Sequence, residues 1–232
     1  VGVLVQQARG IGLEGWAKAS DGLVPERLIR SELERSSEDV LTVASVMQAE
    51  GVRLLGTGDA PAAVAAFEES QRLFRLAGMK NAGVSPVRPW LLTALRRAAE
   101  ATDIEDRRRR AALLRRARSV ARQAGRRARL YRNDLPHVLR ERAHLATLRG
   151  RRRRAQTLFD RSLDIAIRQG AQAEALRTRI SRGEVGLVSG WAGHAEDGAR
   201  AARELEGLLA SLGIPVGPDV AIFTGSSRHP PG

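Results

Sequence analysis

Apolar and small residues recur at helical intervals on both sides of a glycine turn. Before the turn they are spaced at i, i+3, i+4, i+7, i+11 and i+14, which is one face of an α-helix; they are Val40, Val43, Ala44, Met47, Gly51 and Leu54. After the turn, a second helical face is formed by Ala63, Phe67, Ser70, Phe74 and Ala77. The pattern predicts a helical hairpin, in which two helices are joined by a short turn that contains Gly58.

The same pattern occurs again farther along the chain. Aligning Gly58 with Gly150 places small residues opposite small residues and phenylalanine opposite phenylalanine. Helices that cross closely require small residues at the crossing, and an aromatic ring fills the space beside them. We interpret the two segments as copies of one building block. Its repeat-defining positions are Gly51, Gly58, Ala63 and Phe67 in the first copy and Ala143, Gly150, Ala155 and Phe159 in the second.

These positions resemble the tetratricopeptide repeat, which has Gly at its eighth position, a glycine-containing turn and the pattern A-x-x-x-F-x-x-[AS]. Ala143 replaces the eighth-position Gly in the second copy. The resemblance covers roughly residues 44–77 and 136–169. Met47 and Leu139 stand where the family usually has Trp, and no Pro closes either copy. The resemblance implies an all-α fold, with antiparallel helix pairs stacked as a tetratricopeptide-like α-solenoid.

The periodicity of the remaining chain sets the expected domain limits. Residues 1–24 have few periodic positions and predict a lead-in, such as the end of a preceding helix. Residues 25–212 predict the helical-repeat domain, with about eight helices. Residues 213–232 are rich in Pro and Gly and predict a tail or linker.

Positive charge is concentrated in the middle of the chain. The formal net charge is +13, and the segment from Arg96 to Arg154 holds 21 arginines against 6 acidic residues. Both four-arginine runs, 107–110 and 151–154, fall at predicted helix starts. The excess is typical of a solvated face, a dock for an acidic partner or a nucleic-acid surface. Because only 3% of residues are aromatic, bases would find few side chains on which to stack.

The sequence offers little catalytic chemistry. With no cysteine, thiolate ligands and cysteine nucleophiles are excluded. Neither Lys18 nor Lys80 follows a glycine, so neither belongs to a phosphate-binding loop. His137 and His144 are seven residues apart, whereas helical metal ligands are usually spaced at i, i+4. We therefore assign no catalytic, cofactor-binding or metal-ligating residue and expect no cofactor.

The resemblance also implies a peptide-binding groove along the inner helices. The second, fifth, ninth and twelfth positions of a tetratricopeptide repeat face the bound peptide. Carried over to this chain, they are His137, Arg140, His144 and Thr147 in the second copy and Ser45, Gln48, Val52 and Leu55 in the first. The polar, cationic second set would bind an acidic segment or a peptide carboxylate. The alternative is that these are ordinary solvated side chains.

Stretches of the sequence such as PWLLTALRRAAE resemble the repeat region of large bacterial multidomain regulators. In such regulators an ATPase module precedes the repeats, and a kinase, cyclase, phosphatase or DNA-binding output domain follows them. We therefore expect a non-catalytic protein–protein interaction module, a fragment of a larger cytoplasmic signal-transduction protein. Its partner would be a protein or peptide, acidic in character, or a sibling domain. The alternative is a basic helical domain that binds nucleic acid electrostatically. No apolar run approaches the about 20 residues that span a bilayer, so we expect no membrane partner.

Overall fold

The computed structural model describes residues 2–20, 22–79, 87–191 and 193–213, and in these ranges the chain is all-α, without a strand. Its contacts divide it into two compact units, Val1–Tyr131 and Arg132–Gly232, where the sequence predicted one repeat domain over 25–212. Of the predicted tail, residues 214–232 lie outside the described residues. None of the described helices is both long enough and apolar enough to cross a membrane.

The first unit contains six of the described helices. They are α1 (Gly2–Ala19), α2 (Glu26–Arg35), α3 (Val40–Gly56), α4 (Ala60–Leu76), α5 (Val87–Glu100) and α6 (Arg107–Arg127). The second unit opens with a short 3-10 helix, Arg132–Asp134, and continues with four α-helices. They are α7 (Leu135–Thr147), α8 (Arg152–Arg168), α9 (Gln172–Ser189) and α10 (His194–Ser211). From α2 to α6 and from α7 to α10, each helix packs against the next along the chain, whereas α1 packs against α3.

Aspartates fix where three helices of the first unit begin. The side chains of Asp39, Asp59 and Asp106 accept hydrogen bonds from backbone N–H groups two or three residues later, at the starts of α3, α4 and α6. Such N-caps satisfy donors that have no partner inside the helix. The turns that precede α4 and α8 contain Gly58 and Gly150, with φ of 85° and 68°. Left-handed backbone of this kind favours glycine, which has no Cβ to clash.

The hairpins α3–α4 and α7–α8 share the same internal hydrogen bond. Ser70 Oγ donates to the carbonyl oxygen of Ala44 over 2.7 Å, and Ser162 Oγ donates to that of Pro136 over 2.7 Å. Both serines lie in the second helix and bond to the first helix 26 residues earlier. The alignment that places Gly58 opposite Gly150 also places Ser70 opposite Ser162 and Ala44 opposite Pro136. The hairpins are therefore equivalent in structure as well as in sequence pattern.

A buried phenylalanine fills each hairpin. Phe67 and Phe159 both have 0% exposure. A Cβ built on Gly51 would lie 2.7 Å from two carbons of the Phe67 ring, so the ring occupies the space of a missing side chain. In the second hairpin Ala143 stands at this position, and it packs against Phe159 in one apolar cluster.

Most of the predicted lead-in, residues 1–24, is helical. Helix α1 is 18 residues long and packs along α3 in the same direction. The contact uses small residues, because Ala17 is fully buried and a Cβ on Gly10 would lie 3.1 Å from Thr42 Cγ2. A periodicity of large apolar residues does not detect a helix whose contact face consists of glycine and alanine.

We predict that Gly51→Ala destabilises the protein, whereas Gly12→Ala does not. The added methyl at Gly51 would overlap the buried Phe67 ring, and overpacking of this kind costs about 1–3 kcal/mol. Gly12 lies in α1, and a methyl group added there would have no neighbouring atom within 4 Å, so alanine gains up to about 1 kcal/mol of helix propensity. Urea unfolding followed by circular dichroism measures both. Equal stability of Gly51→Ala and the parent chain would contradict the close packing.

Candidate functional site

The predicted groove residues of the first hairpin are buried, and two of them, Ser45 and Gln48, lie against α1. Ser45, Gln48 and Val52 have exposures of 6%, 0% and 1%, and Leu55 is buried as well. Lys18 Nζ donates to Gln48 Oε1 over 3.4 Å. Gln48 Nε2, however, is buried without a hydrogen-bond partner among the described residues. In contrast to the expected open groove, this face of α3 is occupied by the protein's own first helix.

The predicted groove residues of the second hairpin are largely engaged inside their own unit. Arg140, 6% exposed, donates through Nη1 to Glu174 Oε2 of α9 over 2.6 Å. The His144 ring stands edge-on to Phe159 with centroids 5.3 Å apart. Thr147 Oγ1 donates to the carbonyl oxygen of Ala143 over 3.2 Å. The set is polar and cationic as predicted, but its main cation already has an acidic partner.

Burial and charge together shift two pKa values beside this ion pair. Burial, reinforced by the charge of Arg140, lowers the pKa of His137 from 6.5 to about 4. Burial alone would raise the pKa of Glu174, but the charges of Arg140, His137 and Arg177 outweigh it and lower the value to about 2. At neutral pH the pair is therefore ionised, and His137 beside it is neutral.

We predict that stability falls as the pH drops from 6.5 towards 4, through His137. The unfolded chain takes up a proton near pH 6.5, whereas folded His137 does so only near its pKa of about 4. The stability is therefore complete above pH 6.5 and is lost below it, by about 2 kcal/mol between pH 6.5 and 5. Urea unfolding of the parent chain and of His137→Gln at several pH values isolates this contribution. A variant with the same pH slope as the parent would contradict it.

A second ion network joins three helices of the second unit around Asp197. Arg179 of α9 donates to Asp197 Oδ1 of α10 over 2.7 Å and to Glu204 Oε2 over 3.0 Å. Arg182 bridges the same carboxylate and Asp160 of α8, over 3.1 and 3.0 Å. Hydrogen bonds from Arg179, with further bonds and charge from Arg182, lower the pKa of Asp197 to about 2. These arginines are structural, and nothing in their spacing distinguished them from exposed arginines.

The backbones of α9 and α10 meet beside this network. The Cα of Gly198 lies 2.8 Å from the position that a Cβ on Gly183 would occupy. Only glycine permits such an approach of two backbones. The crossing sets Asp197, which precedes Gly198, against the guanidinium groups of α9.

Helix α6 is the most arginine-rich of the described helices in the first unit. It contains ten arginines and no acidic residue in 21 residues. Its buried face consists of Ala117, Ala121 and Ala124, so the long side chains lie on the other faces. We call the four exposed residues along its outer face the arginine stripe: Arg108, Arg115, Arg122 and Arg126. None of these four pairs with an acid among the described residues, whereas Arg116, beside them, pairs with Glu68.

The second arginine run opens α8 in the other unit, as predicted. Arg151 is its N-cap residue and makes no side-chain capping bond. Arg151 to Arg154 are all exposed. A run of cations at a helix N-terminus opposes the helix dipole and gains nothing from the helix itself. The run therefore contributes to surface charge and not to the packing of α8.

Among residues 2–20, 22–79, 87–191 and 193–213, no group of three or more His, Asp or Glu side chains is placed to hold a metal ion. Comparison with known proteins found no family model, no curated protein and no solved structure that matches the chain.

Proposed function

We propose that the chain is a non-catalytic interaction module built from tetratricopeptide-like helix pairs, and that it binds an acidic protein partner through the arginine stripe of α6. The equivalence of the hairpins α3–α4 and α7–α8, down to one serine hydrogen bond, supports the repeat assignment. A place in a larger cytoplasmic signal-transduction protein of bacterial type rests on the sequence resemblance alone.

One observation carries the choice of surface. The arginine stripe is exposed and lacks acidic partners among the described residues, whereas Arg140, Arg179 and Arg182 are engaged by carboxylates of their own unit. Exposed charges of one sign attract and orient a partner of the opposite sign. The groove positions of α3 are buried and therefore offer a partner less accessible surface.

The arginine stripe could also attract nucleic acid, which is the second candidate. Binding of that kind rests on phosphate contacts and weakens steeply with salt. Aromatic residues make up 3% of the chain, so stacking would add little to those contacts. An acidic protein is therefore the favoured partner.

We predict that Arg115→Glu combined with Arg122→Glu lowers affinity for a polyglutamate peptide by about ten-fold or more, because two attractions become repulsions. The matched control is Arg9→Glu with Arg27→Glu, which changes the net charge equally at exposed positions outside α6. Fluorescence anisotropy at about 0.15 M salt measures both. Equal losses in the two variants would show nonspecific attraction and contradict the proposal. Tighter binding of a DNA duplex than of the peptide, retained at that salt, would favour the nucleic-acid alternative.

A further inference from the structure

The spacing of the arginine stripe defines its partner more closely than its charge does. Arg108, Arg115 and Arg122 are each seven residues apart, and Arg126 follows after four. Seven residues make nearly two helical turns, so the side-chain direction drifts by only about 20° across each seven-residue step. Each of these two steps advances about 10.5 Å along the axis, the last step to Arg126 advances about 6 Å and turns back by about 40°, and the four arginines span about 27 Å. The result is a straight row of cations on one face of one helix.

We infer that the partner segment is itself an α-helix that carries acidic side chains at seven-residue intervals and lies along α6. This inference rests on the proposed function. A partner helix repeats its own facing positions with the same rise, so carboxylates at i, i+7 and i+14 meet Arg108, Arg115 and Arg122 in turn. Each contact is then a charge-assisted hydrogen bond between a guanidinium and a carboxylate.

Other acidic chains match this row less well. An extended peptide presents side chains on one face about every 6.6 Å, and a nucleic-acid strand carries a charge about every 3.4 Å along the duplex axis. Acids on one face of an extended peptide fall out of step with arginines about 10.5 Å apart. Every third charge of a nucleic-acid strand does match that spacing, but the strand winds through most of a turn over the about 27 Å of the row and so departs from a straight line. The acidic loop before α6, with Asp103, Glu105 and Asp106, has its acids within four positions and outside any helix. That loop of a second copy would therefore engage one arginine of the row and not all of it.

The surface between the arginines permits a helix to approach. Ala111 and Ser119 lie on the same side of α6 as the arginine stripe and have short side chains. Ala111 is exposed and Ser119 is half-buried. Small residues between long ones leave room for the side chains of a second helix, as in other helix–helix contacts.

The unbound helix also carries a repulsion that this partner would relieve. Arg118 and Arg122, and Arg122 and Arg126, stand at i, i+4, where like charges destabilise a helix. The four arginines at its start face the positive end of the helix dipole. Acidic residues within α6 would remove both effects, but the sequence has none there. A helix of carboxylates alongside compensates the charge from outside.

The test uses the full chain and two alanine-rich peptides of about 20 residues, long enough to form helix in water. Both contain three glutamates. In the first they recur every seventh residue, on one face, and in the second every fifth residue, on different faces. We expect the first peptide to bind at least about ten-fold more tightly by anisotropy. Arg115→Glu with Arg122→Glu should abolish this preference and instead favour a peptide with lysine at the second and third acidic positions. Circular dichroism verifies that the variant is folded, and Arg9→Glu with Arg27→Glu should leave the preference unchanged.

The outcomes separate the two proposals. Equal affinity for both peptides, with both weakened by the α6 variant, overturns the helical partner and leaves acidic binding through α6 in place. Affinities that the α6 variant does not change overturn both proposals. Binding of a duplex with no binding of either peptide also overturns both.

Discussion

Each hairpin depends on one close helix crossing, made by a small residue against a fully buried phenylalanine. Phe67 fills the space beside Gly51, and Phe159 does the same beside Ala143. A ring so enclosed fixes the distance between the two helices, because protein interiors tolerate neither overlap nor voids. The serine hydrogen bonds then fix the register along the axes, since Ser70 and Ser162 reach the same relative carbonyl. Packing and polar contacts thus specify the same arrangement.

Small residues at the helix contacts also determine where the charged side chains lie. Because α6 buries alanines, it packs closely while ten arginines remain on its other faces. In the second unit, Gly183 and Gly198 bring α9 and α10 together, and the carboxylate of Asp197 then reaches Arg179 and Arg182. Close helix crossings therefore leave the arginines in two different environments. Some are held in ion networks between helices, and others extend from a helix into solvent.

Sequence pattern predicted the hairpins well because helical period and turn glycines act locally. It placed Phe67 and Phe159 at equivalent positions, and it placed both arginine runs at helix starts. It gave α1 only as a lead-in, such as the end of a preceding helix, because the contact face of Gly10 and Ala17 lacks large apolar residues. It also could not show that α1 covers Gln48. That contact joins residues 30 positions apart, and helical periodicity relates only residues within one helix. Periodicity identifies a helix face but does not show what the face touches.

The sequence also does not show which arginines are paired with acids and which are free to attract a partner. Composition gives their number, but the buried guanidinium of Arg140, 2.6 Å from the half-buried carboxylate of Glu174, is already compensated within the fold. Exposed arginines remain able to attract a partner, although they repel one another along the helix. The division between the two is fixed by which acids the tertiary contacts bring near, so it follows from the fold and not from the charge count. The proposal of a recognition surface on α6 therefore depends on charge that the fold leaves uncompensated, at a regular spacing along one helix.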